Sequence, residues 1–115
     1  MSALGTTLRT LLVLVSLSMP LVGSAMAEVD PARQAELNHL LRHDCGSCHG
    51  MTLKGGLGPS LLPEALHGKP AQFLESTILN GRFGTAMPPW RRFLTEEEAR
   101  WMVKRLIDGP VAGKN

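Results

Sequence analysis

An all-α fold of about three to four helices is predicted by three observations on this 115-residue chain. Apolar residues recur at helical spacing, capping signals stand where helices should begin, and Gly/Pro-rich stretches separate the candidates. No segment shows the period-two alternation of a half-buried strand.

Taken in order, the chain opens with Arg9 before an apolar run from 11 to 22, followed by Ser24, Ala25, Met26 and Ala27. The small residues at 25 and 27 form an A-x-A cleavage site, so 1-27 is expected to be a cleaved signal peptide and 28-115 the domain. Pro20 breaks the run, which is short for a bilayer, so no stable membrane anchor is expected and export should deliver a periplasmic protein. Asp30 caps a first helix with Pro31 at its first position, and Leu37, Leu40 and Leu41 give it one apolar stripe. Residues 50–69 read as loop, with one short helical turn around Pro63 to Leu66. Pro70 opens a second helix carrying Phe73, Leu74, Thr77 and Ile78, which Gly81 ends in a left-handed cap. Thr95 and Glu98 form a capping box for the last helix, whose stripe is Met102, Val103, Leu106 and Ile107 and whose stop is Gly109 with Pro110.

Charge excludes one class of partner. Removing Arg9 from the 12 basic residues leaves the domain nearly balanced against its 10 acidic ones, with no basic run of the kind nucleic-acid binding needs. Only three Phe and two Trp serve so small a core, which a large flat apolar cofactor would complete. Without it, the domain should fold poorly.

Cys45, Gly46, Ser47, Cys48 and His49 form Cys-x-x-Cys-His, the spacing that attaches haem c. The thiols of Cys45 and Cys48 form thioethers to the cofactor, and the His49 imidazole becomes the proximal iron ligand. A redox dithiol shares this spacing but needs a βαβ context, and half of a zinc site would have to borrow distant donors. Both cysteines belong to the motif, so none is left for a disulfide. For the second axial position Met87 is the candidate, in the loop Gly84, Thr85, Ala86, Met87, Pro88, Pro89, Trp90, where two prolines stiffen the chain behind a soft thioether. Met51 follows His49 too closely to reach the opposite face, and Met102 lies on a core stripe. His67 is a weaker alternative. His39 and His43, four residues apart, could face a metal together, although solvated surface histidines are the commoner case.

The order of these features resembles the class I monohaem cytochromes c: a haem motif early in the mature chain, a loop with Gly58 and Pro59, then Met87 before a C-terminal amphipathic helix. The resemblance spans essentially the whole domain and implies the cytochrome c fold, wrapped around one covalently bound haem. In that family a proline carbonyl commonly accepts the proximal histidine's Nδ1 proton, and Pro59 stands in the matching place; Trp90 is expected beside the haem. Asn80, Gly81 and Arg82 with residues 84–90 are similar, more narrowly, to the small NirC-type cytochromes accompanying the haem-c/haem-d nitrite reductase of denitrifying bacteria.

That resemblance implies a monomeric one-electron carrier with redox protein partners, nitrite reductase among them, and no enzymatic activity of its own. A role in d-type haem maturation, or a haem sensor with a displaceable Met87, is the alternative. Lys54, Lys69, Arg82, Arg91 and Arg92 fall in loops expected to border the haem crevice and suggest a basic docking rim.

Overall fold

The structure is a computed structural model that describes residues 28–109, and every regular element among them is helical. The signal peptide expected over 1-27 lies outside these residues. Asp30 Oδ1 accepts the backbone N–H groups of Ala32 and Arg33, both at 3.1 Å, and Pro31 fills the first helical turn. Helix α1 (Pro31–Leu40) then runs without interruption into a π-helical turn (Leu41–Cys45) and α2 (Gly46–His49). The Gly46 N–H reaches the Leu41 carbonyl five residues back. That extra residue turns everything beyond it by roughly 100° relative to the α1 stripe.

After a loop come the single turn α3 (Pro63–Leu66), α4 (Ala71–Asn80) and α5 (Glu96–Asp108). The capping box on α5 is complete: Thr95 Oγ1 accepts the Glu98 N–H at 3.2 Å while Glu98 accepts the Thr95 N–H at 2.9 Å. Glu96 and Glu97 also favour the positive end of the helix dipole. Helix α5 packs against α1, α3 and α4, so it is the central element of the fold.

The core follows from these packings. Leu37 and Leu41 of the first helical run join Met102 and Leu106 of α5, with Leu66, Leu79, Leu94, Ala99 and Leu53 in one buried cluster. Polar bonds cross the α1–α5 seam: Arg33 Nε donates to Glu98 Oε1 at 2.6 Å, and Arg105 Nε to Asn38 Oδ1 at 3.4 Å. Three expectations need correction. Phe73 is exposed and Leu79 takes the buried place on α4, because α4 turns its Leu74–Ile78–Leu79 side toward the core; Thr77 spends its hydroxyl on the Phe73 carbonyl. Ile107 is 41 % exposed, one step past the buried row Met102, Val103, Leu106. Gly81 has φ 68° but ψ −169°, so it ends α4 in an extended glycine-only conformation instead of a left-handed helical cap.

Leu37→Ala should destabilise the haem-loaded protein by about 2–5 kcal/mol, whereas Ile107→Ala should cost only about 0.5 kcal/mol. Denaturant unfolding measures both, and equal costs would contradict this core. The Glu98 carboxyl is held below its ordinary range, first by the hydrogen bond from Arg33 and then by the Thr95 N–H. A depressed folded-state pKa stabilises above the unfolded value and loses that contribution as pH falls through the glutamate range. Glu98→Gln should therefore lower neutral-pH stability by no more than about 1 kcal/mol and flatten the acid limb of a stability–pH curve.

Candidate functional site

Three of the residues singled out by sequence share the end of one helical run. Cys45 closes the π turn, and Cys48 and His49 finish α2. Both thiols are half-buried and unbridged. Burial, with the Asp44 carboxylate adding to it, pushes the Cys45 thiol up to about 11. A redox dithiol needs the opposite shift, since its thiolate is the reactive form. Among the described residues no group of three or more His, Cys, Asp or Glu could hold a metal ion, so the zinc alternative finds no further donors there.

The loop after α2 folds back onto it. Gly55 N–H bonds to the His49 carbonyl and Gly58 N–H to the Cys48 carbonyl, each at 2.8 Å, which caps the helix end with the loop's own backbone. This return brings the Pro59 carbonyl to 2.7 Å from His49 Nδ1. A carbonyl only accepts, so Nδ1 carries the proton and Nε2 keeps its lone pair for a ligand bond. Gly58 is required at this approach: a Cβ there would lie 2.7 Å from the His49 Cε1 and Nδ1 atoms. Leu53 fixes the loop from inside, buried in the core at φ 57°, with its carbonyl accepting from Leu61 N–H at 2.9 Å and Ser60 Oγ at 3.3 Å. A bulky residue in the left-handed region is strained, and core burial with two hydrogen bonds offsets the cost.

Met87 lies on the connection between α4 and α5. Its carbonyl accepts the Arg82 N–H at 3.1 Å and its N–H donates to Thr85 Oγ1 at 3.3 Å. Gly81 permits this closure, since a Cβ on it would meet the Met87 carbonyl oxygen at 2.6 Å. Beyond the two prolines, Trp90 and Arg91 N–H groups bond to the Ile78 and Leu79 carbonyls, both at 3.1 Å. The half-buried Trp90 ring packs on the core and stands 6.0 Å from the Phe93 ring.

The other candidates are placed differently. Met51 is exposed, its sulfur beside Gly46 and so on the motif's own side, whereas Met102 is wholly buried. His67 is exposed just beyond α3. The His39 and His43 rings stack with centroids 4.2 Å apart and both are exposed. The residues of the expected basic rim, Lys54, Lys69, Arg82, Arg91 and Arg92, are all exposed, and Arg91 is in addition engaged by Asn80 and Glu96. Sequence offered no signal for that contact, for the π turn, or for the strained Leu53.

The residues fit a haem. The motif histidine is held in the tautomer a metal ligand needs, and Leu57 in the loop after α2 and Phe83 in the loop that carries Met87 are both exposed, as suits partners for an apolar ring system. No described helix is long and apolar enough to cross a membrane.

Comparison with known proteins agrees with this geometry. The family model described as cytochrome C oxidase, cbb3-type, subunit III, matches residues 32–104. A cytochrome c55X of Pseudomonas aeruginosa is 54 % identical over 98 residues, covering 85 % of this chain and 82 % of that protein. The dihydro-heme d1 dehydrogenase of the same organism is 39 % identical over 98 residues, covering 84 % of this chain but only 19 % of that protein. The solved structure of a c-type cytochrome NirC superposes with TM-score 0.72 at 56 % identity, over 74 % of this chain and all of that one. Helical order, motif and likeness along most of the chain converge, and the chain belongs to the c-type cytochromes, as a small cytochrome of the NirC type.

Proposed function

We propose that this protein is a periplasmic one-electron carrier, with one haem c attached through Cys45 and Cys48, ligated by His49 and Met87, and delivering electrons to nitrite reductase. The observation that carries the proposal is the 2.7 Å hydrogen bond from His49 Nδ1 to the Pro59 carbonyl. It fixes the ring orientation and makes Nε2 a stronger donor to iron. Bound haem supplies a ferrous/ferric couple that gains or loses one electron. The chain's part would be to hold the iron, by His49 from the α2 end and Met87 from a loop pinned at both ends, with Trp90 beside that loop. A methionine–histidine pair raises the potential and leaves no open position for substrate, which suits a carrier better than an enzyme.

Support for the nitrite reductase connection comes from likeness to NirC-type proteins and to cytochrome c55X. One observation favours a second reading, exchange of electrons with an enzyme of d-type haem maturation: this chain is also similar to about a fifth of the dihydro-heme d1 dehydrogenase. Deletion of the gene separates them. Loss of flux through a fully loaded reductase fits a donor, and a reductase lacking d-type haem fits maturation.

Intact mass of the purified exported protein should show one haem added to a chain beginning at Glu28, and the ferric spectrum should carry the sulfur-to-iron band near the red end. Met87→Ala should remove that band, admit added imidazole and lower the potential; an unchanged spectrum would move the ligand to His67 or elsewhere. In stopped-flow mixing with oxidised nitrite reductase, the reduced protein should outpace an unrelated cytochrome of similar potential and charge. Charge reversal at Arg82 and Arg92 should slow that reaction at low salt by about tenfold and matter little in high salt, because rim charges act on encounter.

A further inference from the structure

We infer that Arg91 is a positioning residue for Met87: its guanidinium clasps the Asn80 side chain at the end of α4 and holds the methionine loop shut. The inference rests on Met87 being the iron ligand. Residues 81–90 leave α4 and return to it. On the outgoing side, Gly81 N–H bonds to the Thr77 carbonyl at 2.9 Å, and Thr85 closes a turn on the Arg82 carbonyl through its N–H at 3.1 Å and its hydroxyl at 2.8 Å. On the returning side, Pro88 and Pro89 have no N–H to give, so the first backbone bonds after Met87 come from Trp90 and Arg91. Both go to the last turn of α4.

Arg91 reinforces that single return point. Its Nε and Nη2 both donate to Asn80 Oδ1 at 3.2 Å, and Nη1 donates to Glu96 Oε1 at 3.3 Å. Asn80 is itself aimed, since its Nδ2 donates to Ser76 Oγ at 3.0 Å and its oxygen therefore faces the guanidinium. One side chain thus joins the end of α4, the loop's return and the first turn of α5. Lysine cannot reproduce the contact, because two N–H groups of a planar fork converge on one oxygen. Opening the loop requires breaking this clasp, and an outside ligand binds the iron only in proportion to the opened fraction.

The test is imidazole titration of the ferric haem-loaded protein at constant temperature, with thermal unfolding measured beside it. Arg91→Ala and Asn80→Ala should each raise apparent imidazole affinity by about three- to tenfold, as expected for losing exposed, charge-assisted hydrogen bonds. The double variant should gain no more than the larger single effect, since the two residues act through one contact. Arg91→Lys should fall between wild type and Arg91→Ala. Unchanged affinity in both single variants while wild type retains its sulfur-to-iron band would overturn the clasp, even if their melting temperatures fell. So would fully additive effects in the double variant. A band that survives in Met87→Ala would instead overturn the ligand assignment on which the clasp depends.

Discussion

The bond between the His49 imidazole and the Pro59 carbonyl is the constraint on which the rest of the site depends. It spans ten residues, so it exists only if the chain between them turns back within a short distance. Each device in that loop serves the return: backbone N–H groups of Gly55 and Gly58 close on the helix end, Gly58 lets the ring lie against bare backbone, and Leu53 accepts a strained conformation to anchor the turn in the core. The orientation of one imidazole is therefore set by packing far from it.

The loop that carries Met87 is built by other means. Where glycines let the His49 loop close on its own helix, the Met87 loop carries two prolines and returns to α4 through two backbone bonds. Prolines remove donors as well as freedom, and so concentrate the loop's attachment at Trp90 and Arg91. A small number of bonds then governs a whole segment. The resting position of such a loop is therefore set by the few bonds at its return, and a change at one of them is felt along the whole segment.

Much of this was legible in sequence because the signals were local. The Asp30 and Thr95 caps, the Leu37/Leu41 stripe and the Cys-x-x-Cys-His turn each depend on residues within a few positions of one another. What escaped depends on partners distant in the chain. Phe73 and Leu79 are both compatible with a helical stripe, and only the direction from which α5 approaches decides which is buried. Arg91 is exposed as a docking charge should be, yet its guanidinium also donates to Asn80, eleven residues earlier, a contact that no local pattern announces. The π turn has no signal in residue type, since it arises where the buried row of α1 must be reconciled with a motif that faces another way.

Helix α5 couples these parts. It buries Met102 and Leu106 against the run that ends in His49, and it packs on α4, from which the Met87 loop departs and to which it returns. The run that ends in His49 and the loop that carries Met87 thus lean on one helix. Its N-terminal turn adds a second link, because Glu98 holds Arg33 of α1 while Glu96 holds Arg91 beside the methionine loop. The first pair is mostly shielded and crosses the core seam, so it fixes helix against helix; the second is exposed and screened by salt, and contributes less on its own.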